Sequence, residues 1–475
     1  MHIPFTLTPL PITRHRFQSL QSKAGVLGKL IHKASQDDAF LKQAMEPITE
    51  GDPFFKHLWE SHLKLQTQDT ERRLPLLIMR SDFMDDATVG PKLIEFNAIA
   101  AGMGPFGQRI HELHKYVYTQ HPTTYHQFSA LPHTDTDTDT KLELVQNKAI
   151  DSLAEGIAQT TLQIKNEFND DGPPRFLMVV QPDEDNVYDQ HLLEYALQER
   201  GIQTVRRSFR ELHDTLSSGE SGRLMLEGVG SIDTVYLRSG YSHCDFYLGD
   251  LDQKDQCCHS LLQTRIFMEK HRVAMNATIR QQMASSKRVQ TLLSAMNAQE
   301  LCNKFELTHE EARAVKELLG TNLPITGDTI HWLEKENVDN WVLKNQGEGG
   351  GHAIFGQDII HKLQELSPDD YAAWSIMQRL RPTPRSVPTV LVRKGEPQLC
   401  PDLISEIGVF TVHADGVPAT NLVDEHEHEH EDNNDNTHNA GGYAGYLIRS
   451  KPALAPEGGV HSGMGVLDSL VYASN

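Results

Sequence analysis

The stretch that decides the fold is WVLKNQGEGGGHAIFG, residues 341–356, in which two apolar, β-prone runs flank a loop with three adjacent glycines. This pattern predicts strand, loop, strand. Glycine loses more backbone freedom on folding than any other residue, so a triplet indicates a loop that something must approach closely. Bare backbone N–H groups can cradle phosphate oxygens. Taken alone, the loop favours a phosphate cradle and a mobile surface hairpin about equally.

Two common phosphate-binding motifs do not fit this chain. The P-loop needs a glycine, four intervening residues and then a Gly-Lys pair. Here the pair Gly28-Lys29 has Lys23 at the position of that first glycine. The dinucleotide fingerprint leads from a strand into a helix, but the sequence after this loop is strand-like. A glycine-rich hairpin that folds over nucleotide phosphates is the remaining option.

One acidic residue inside the loop and two polar residues elsewhere indicate a metal site. Glu348 lies beside the glycines, and a carboxylate next to bound phosphate needs a cation between them. Mg²⁺ is the hard cation that carboxylates and phosphate oxygens share. Glu95 and Asn97 in LIEFNAI are two residues apart, so on a strand they face the same side. They are candidate Mg²⁺ ligands, the alternative being an exposed polar face of an edge strand.

Basic residues supply the countercharge that a triphosphate requires. Lys344 lies on the strand that enters the loop, and Lys287 opens the segment SKRVQTLL. Arg449 and Lys451 alternate in LIRSK and therefore share one face of a strand. Each cation alone is weak evidence, but together with the glycine loop they favour a nucleotide site.

The composition excludes several classes of protein. The chain has 475 residues and a net charge of -21, which argues against a nucleic-acid partner. The five cysteines form no C-x-x-C pair, which favours reduced thiols and a cytoplasmic location over a disulfide framework or a zinc ribbon. No apolar run approaches the roughly 20 residues of a membrane span, so no membrane partner is expected.

The order of predicted elements indicates an α/β protein. Residues 15–70 have mainly helical spacing, whereas residues 175–205 read as strand, helix, strand, with the helix starting at a capping Asp189. A further strand ends on Arg238 and Tyr241. Ligands sit at the carboxyl ends of strands in open parallel sheets. We therefore expect a binding edge in this part of the chain.

The chain divides into three expected units. We predict an N-terminal part at residues 1–171, a substrate-binding α/β domain at residues 172–275 and an ATP-binding region at residues 276–475. Inside the last unit, residues 424–438 read DEHEHEHEDNNDNTH and are predicted to form a disordered acidic loop. Zinc binding by its histidines is the less favoured alternative.

Eight segments, taken in order, resemble a known family. They are RSDFM, LIEFNAI, EDNVYDQ, YLRSGY, SSKRVQ, VLKNQGEGGGHAIFG, ISEIGVF and LIRSKPALAPEGGVHSGMGVLD. In order and spacing the chain resembles the eukaryotic-type glutathione synthetases of the ATP-grasp superfamily. This resemblance implies an α/β ATP-grasp fold with an inserted parallel-sheet substrate-binding domain and a glycine-rich lid. It also implies an enzyme that joins γ-glutamylcysteine to glycine with ATP, through an acyl phosphate, and that forms a homodimer.

The resemblance assigns roles to individual residues. The implied Mg²⁺ ligands are Glu95, Asn97 and Glu348, and the implied catalytic residues are Arg449, Lys344 and Arg80. The implied ATP contacts are Glu95, Lys287, Lys344, Asn345, Gln346, Gly347, Glu348, Gly349, Gly350, Gly351, His352, Ala353, Phe355, Met377, Gln378, Arg379, Leu380, Glu406, Lys451 and Glu457. The implied substrate contacts are Arg80, Ile99, Ala100, Ala101, Gly102, Glu184, Asp185, Asn186, Gln190, Arg238, Ser239, Gly240, Tyr241, Arg449, Val460 and His461.

Two departures from the family pattern bear on specificity. Phe355 stands where the family commonly has a tyrosine that contacts ATP. His461 and Ser462 stand where two alanines are common, and plant relatives that use β-alanine change this same dipeptide. His461 and Ser462 therefore leave open a ligase with another acceptor, such as β-alanine or serine. A nucleotide-binding relative without catalysis is a separate alternative, which the presence of Glu95, Glu348 and Arg449 disfavours.

Overall fold

The computed structural model describes residues 2–67, 73–123, 125, 143–168, 171–246, 259–347, 353–419, 441–455, 459–460 and 464–473. The helices are α1 Arg14–Gln36, α2 Asp38–Met45, α3 Pro53–Gln66, α4 Gly104–Gln120, α5 Ala149–Asn166, α6 Val187–Glu199, α7 Phe209–Leu212, α8 His259–Glu269, α9 Ile279–Ala284, α10 Lys287–Ala295, α11 Ala298–Phe305, α12 His309–Leu318, α13 Gly327–Leu333 and α14 Asp358–Glu365.

The strands follow the same chain order. They are β1 Phe5–Thr6, β2 Leu10–Ile12, β3 Leu74–Asp86, β4 Gly90–Asn97, β5 Arg175–Val179, β6 Gln203–Arg207, β7 Leu216–Ser218, β8 Leu224–Leu226, β9 Gly230–Ile232, β10 Thr234–Leu237, β11 Ala274–Asn276, β12 Asn322–Pro324, β13 Trp341–Lys344, β14 Ala353–Phe355, β15 Ser375–Gln378, β16 Thr389–Arg393, β17 Glu396–Cys400, β18 Leu403–Ala414, β19 Val417–Pro418, β20 Tyr443–Pro452, β21 Val466–Asp468 and β22 Leu470–Tyr472.

The N-terminal helical region predicted from the sequence is confirmed over its described residues. The side chain of Thr13 accepts the N–H of Arg16 and caps the start of α1. Phe17, Leu20 and Leu27, spaced three and seven residues apart, are all buried on one face of that helix. Burial of each such side chain contributes roughly 1.5–3 kcal/mol to the free energy of folding. Packing therefore holds α1 in place.

One large sheet organises the molecule. Among the described strands its order is β17-β16-β1-β21-β20-β18-β3-β11-β10-β5-β6, with β4 paired to β3 and β19 paired to β18. The run from β20 through β18 and β3 to β4 is antiparallel. The run from β3 through β11, β10 and β5 to β6 is parallel.

Strand β3 joins the two halves of this sheet. It pairs with β18 and β4 on the antiparallel side and with β11 on the parallel side. Its residues 76–83 are all buried, as expected of a central strand covered on both faces. The inserted parallel strands therefore continue the large sheet. The predicted α/β class with an inserted parallel-sheet region is confirmed.

A second, four-stranded sheet contains the stretch that opened the sequence analysis. Its order is β12-β15-β13-β14, and it is antiparallel throughout. Strands β13 and β14 form the predicted strand, loop, strand, with Lys344 paired to Ala353 across the turn. A separate apolar cluster that includes Leu343 and Ile376 supports this sheet. Residues 348–352 of the glycine loop lie outside the described residues, as do residues 424–438 of the acidic loop.

The structure corrects one expectation about local structure. Asp189 does not cap the helix on which it lies, because α6 begins at Val187 with Asn186 in the capping position. Its buried carboxylate instead accepts the N–H groups of Met103 and Phe106 at the start of α4. Asp189 therefore ties two helices together, a role that its position in the sequence does not reveal.

Across the described part of the chain, no helix combines the length and the apolar character that a membrane crossing requires.

The contact between α4 and β20 leads to a stability prediction. A Cβ atom on Gly107 would lie 2.3 Å from the backbone oxygen of Tyr446, which cannot move without disturbing the sheet. Gly107→Ala should therefore destabilise the protein by about 1–3 kcal/mol, although the same change inside a helix ordinarily stabilises. The measurement is the free energy of unfolding in urea.

Gly327→Ala is the matched control, because a Cβ atom at this helical position meets no atom within 4 Å. It should leave stability unchanged or raise it slightly. Equal destabilisation by both substitutions would contradict the packing account.

Candidate active site

One cavity of about 730 Å³ lies where the two sheets meet. It collects side chains from the antiparallel run of the large sheet, from the small sheet and from the loops that follow β5 and β10. The predicted site residues that line it are Arg80, Glu95, Asn97, Ile99, Ala100, Gly102, Glu184, Asp185, Asn186, Arg238, Tyr241, Lys287, Lys344, Gly347, Ala353, Phe355, Met377, Gln378, Arg379, Leu380, Glu406, Arg449 and Lys451. The structure therefore brings most of the described candidates together.

Other predicted site residues lie beside the cavity. Gln346 is buried, accepts the N–H of Arg288 and donates to the carbonyl of Ala373. The Asn345 side chain accepts the N–H of Gly347. The remaining described candidates outside the lining are Ala101, Gln190, Ser239, Gly240 and Val460. Glu348, Gly349, Gly350, Gly351, His352, Glu457 and His461 lie outside the described residues.

The floor of the cavity is built around a buried carboxylate that the sequence analysis did not single out. Asp82 is 1% exposed and accepts two bonds from Arg80, at 2.6 and 2.7 Å. Its Oδ2 also accepts from Arg449 at 2.9 Å and from the Asn97 amide at 3.0 Å. Bonds of this charged, forked kind fix direction as well as position. Both arginines are therefore held in place before any ligand arrives.

Glu406 provides a second partner for the cation at position 449. The Arg449 guanidinium lies 2.8 Å from Glu406, directly across from it on β18. Burial disfavours the charge, but the carboxylates of Glu406 and Asp82 outweigh burial and raise the pKa of Arg449 above its ordinary value. Arg449 is therefore a permanent cation at the cavity.

Glu95, on β4, lies among cations from α10 and β13. Its carboxylate is 3.7 Å from the Lys287 ammonium. Burial alone would raise the pKa of Glu95, but the charges of Lys287 and Lys344 outweigh it and lower the pKa to about 2. The carboxylate is thus ionised at any physiological pH and carries a full negative charge into the cavity.

The side chains of Glu95 and Asn97 suit a hard divalent cation. Both line the cavity from β4, as the two-residue spacing predicted. Asn97 donates its N–H₂ group to Asp82, which directs that side of the amide away and leaves its carbonyl oxygen as an acceptor. A carboxylate and an amide oxygen are ligands that Mg²⁺ accepts. Within the described ranges, no three His, Cys, Asp or Glu side chains converge as metal ligands, and Glu348 is not among those residues.

The opposite end of the cavity is polar and lies at the carboxyl ends of parallel strands. Glu184 and Asn186 follow β5, and Arg238 follows β10. Among the described residues, none forms a hydrogen bond with the buried Asn186 Oδ1, so this oxygen is available to a ligand. A Cβ atom on Gly102 would lie 2.2 Å from Arg238, so glycine leaves the room that this guanidinium occupies.

Asp245 shapes the turn that carries Tyr241. One of its oxygens accepts the N–H groups of Gly240, Tyr241 and Ser242, each at 3.0 Å. The other accepts from Gln181, which also donates to the Tyr241 hydroxyl. Sequence reasoning missed both Asp245 and Gln181. The spacing of the aspartate shortly after an S-G-Y-S turn was the available signal.

The third part of the cavity is apolar. Val342, Met377 and Ile404 contribute to its wall, and the Phe355 ring lies 5.5 Å from the Arg379 guanidinium. A flat, apolar ligand such as a nucleobase matches this wall. The cavity lining that the sequence analysis did not name consists of Met84, Ile94, Met103, Gln181, Val342, Ile404, Ala453, Leu454, Ala455 and Gly459. Most of these residues are neighbours of named ones, so strand periodicity could have found Met84 and Val342.

Comparison with known proteins agrees with this geometry. A family model described as "Eukaryotic glutathione synthase, ATP binding domain" matches residues 1–472. A chloroplastic glutathione synthetase from Solanum lycopersicum is 27% identical over 99% of this chain and 78% of that protein. The glutathione synthetase of Homo sapiens is 26% identical over 98% of this chain and 90% of that protein.

The fold has a match among solved structures. A glutathione synthetase-like effector from Globodera pallida, solved in the apo form, superimposes with a TM-score of 0.68 at 17% identity, covering 100% of this chain and 91% of the other. This similarity shows that the two chains share a fold. The family model spans nearly the whole sequence, and the chain therefore belongs to the eukaryotic glutathione synthase family.

Proposed function

We propose that this protein joins the cysteinyl carboxylate of γ-glutamylcysteine to the amine of glycine, converting ATP to ADP and phosphate. The observation that carries the proposal is the continuity of the cavity. One continuous lining includes the apolar wall, the two lysines, Arg80 and Arg449, and the polar loops after β5 and β10. A nucleotide and a charged peptide could therefore meet at the two arginines.

The proposed chemistry begins with activation, because a carboxylate is a poor electrophile. A carboxylate oxygen attacks the γ-phosphorus of ATP, the bond to the β,γ-bridging oxygen breaks, and ADP leaves. The glycine amine then attacks the acyl carbon, the bond to the phosphate oxygen breaks, and the amine gives up a proton. No side-chain nucleophile is required.

Arg80 and Arg449 are the proposed catalytic cations, together with Lys344. Preorganised cations stabilise the charge that spreads over a transferring phosphoryl group. Asp82 holds both arginines in a single arrangement, so neither needs to reorganise during the reaction. Lys287 and Lys344 also line the cavity, beside Glu95, where they would offset the charge of a triphosphate.

We propose that Glu95, Asn97 and Glu348 would hold Mg²⁺. When bound there, the ion would neutralise phosphate charge beside the reacting group. The low pKa of Glu95 supports this assignment, because the ligand needs no deprotonation to bind. The glycine loop between β13 and β14 is the proposed lid, which would exclude water from an acyl phosphate that hydrolyses easily.

The remaining assignments are also proposals. The three units at residues 1–171, 172–275 and 276–475 stay a proposal, and the boundary at residue 275 falls within the parallel strand β11. Homodimer formation follows from the family resemblance, and a cytoplasmic location follows from the cysteine pattern. Glycine is the proposed acceptor, while His461 and Ser462 motivate the test of β-alanine and serine.

The experiment that tests the proposal measures phosphate release by the purified protein. Release should require γ-glutamylcysteine and an amino acid together with ATP and Mg²⁺. Glycine, β-alanine and serine are supplied in competition, and mass spectrometry identifies the product, which we expect to be glutathione. Equal release without an acceptor would refute ligation, and a product containing another amino acid would revise the acceptor.

The buried carboxylate gives a sharper prediction. Asp82→Asn removes the charge that holds Arg80 and Arg449, so we expect kcat/KM to fall by about 100-fold or more. It also leaves the buried Arg80 guanidinium without its carboxylate and the partly exposed Arg449 with Glu406 alone, which should cost about 3 kcal/mol of stability. Steady-state kinetics and urea unfolding measure the two effects.

Asp85→Asn is the control on the same strand, because Asp85 pairs with Arg16 in a partly exposed contact. Such pairs contribute about 0–1 kcal/mol, and activity should stay close to that of the wild type. Full activity in Asp82→Asn would show that the arginines need no such anchor.

A further inference from the structure

Helix α6 carries a chain of polar contacts that starts at the cavity. Glu184 lines the cavity, and its Oε1 accepts the backbone N–H of Asn186 at 2.9 Å. Its Oε2 accepts from the Gln190 amide at 2.5 Å. Groups at the N-terminus of α6 thus fix both carboxylate oxygens. The orientation of Glu184 depends on which end of the Gln190 amide faces it.

The Gln190 amide is oriented by an arginine on the neighbouring strand. Gln190 is 1% exposed, and its Oε1 accepts from Arg206 Nη2 at 2.7 Å. An amide that gives its oxygen to a guanidinium must present its N–H₂ group on the other side. That side faces Glu184. The contact with Arg206 therefore decides that Gln190 donates to Glu184.

Arg206 is itself held in a fixed arrangement. Its Nη1 donates to Glu194 at 3.2 Å, and Glu194, 3% exposed, also contacts His191 at 2.5 Å. A planar guanidinium can serve two acceptors at once through different nitrogens, which a lysine cannot reproduce with the same geometry. Arg206 lines a second, open cavity of about 520 Å³ on the outer side of α6. It therefore acts on the first cavity from outside it.

We infer that Arg206 is a positioning residue for the donor peptide, acting through Gln190 on Glu184. The inference rests on the proposed function: Glu184 lines the polar end of the cavity, where its carboxylate would face the ammonium group of a bound γ-glutamyl moiety. Without Arg206 the Gln190 amide is free to turn its carbonyl toward Glu184, and two acceptors would then repel. The loss falls on binding of the peptide, because ATP contacts a different part of the cavity.

The test compares Arg206→Met with Arg207→Met. Arg207 lies next on the same strand and donates to the backbone oxygen of Arg206, so its loss leaves the contacts to Gln190 and Glu194 in place. In Arg206→Met we expect the KM for γ-glutamylcysteine to rise by about 5- to 20-fold, because a charge-assisted hydrogen bond is lost. The KM for ATP and kcat should change by less than about twofold. Arg207→Met should match the wild type.

A double-mutant cycle separates positioning from a general loss of structure. In a Gln190→Met background the intermediary is gone, so adding Arg206→Met should leave the KM for the peptide unchanged. Arg206→Lys, which keeps the charge beside Glu194, should fold and show an intermediate KM. Additive effects, or equal rises in the KM values for ATP and peptide, would overturn the inference.

Calorimetric titration of the wild type with γ-glutamylcysteine distinguishes this inference from the proposed function. Binding by the wild type together with an unchanged KM in Arg206→Met overturns the positioning role alone. A wild type that neither binds nor ligates the peptide overturns both.

Discussion

A single buried negative charge, that of Asp82, sets the geometry of the site. It lies in register with Glu95 on β4 and with Gly408 on β18, and Arg449 follows on β20, paired with Glu406. Two anions, Asp82 and Glu95, thus lie opposite each other on neighbouring antiparallel strands, and Arg80 and Arg449 supply the countercharge to Asp82. A Cβ atom on Gly408 would lie 2.9 Å from both Arg80 and Asp82, so the absence of a side chain there makes room for the ion pair. Removal of one partner would leave a buried charge uncompensated.

Other parts of the fold add different side chains to the cavity around Asp82. The parallel strands end in the loops that carry Glu184 and Arg238, as open parallel sheets generally place their ligands. The small antiparallel sheet contributes Lys344 and the apolar wall. Asp189 and Asp245 hold the loops of the parallel side by accepting backbone N–H groups. Buried carboxylates therefore support the antiparallel and parallel sides of the cavity, and the apolar cluster around Leu343 and Ile376 supports the small sheet.

Strand periodicity explains what the sequence could predict. Glu95 and Asn97, like Arg449 and Lys451, were placed on one face by two-residue spacing, and all four side chains reach the cavity. Strand periodicity could not predict the buried polar contacts, because their partners lie far apart in the sequence. The sequence analysis did not single out Asp82, because no local pattern shows that Arg449, 367 positions away, completes its environment. The same limit applies to Asp189, which bonds to N–H groups more than 80 positions earlier, and to Gln190, whose partner Arg206 lies on another element.

The central claim is that ATP activates the cysteinyl carboxylate as an acyl phosphate held between Arg80 and Arg449. The most direct test uses γ-glutamylcysteine labelled with ¹⁸O in that carboxylate and follows the label by mass spectrometry of the released phosphate. An acyl phosphate predicts that one labelled oxygen passes into each phosphate as the peptide bond forms. Phosphate that carries no label while peptide accumulates would contradict the account.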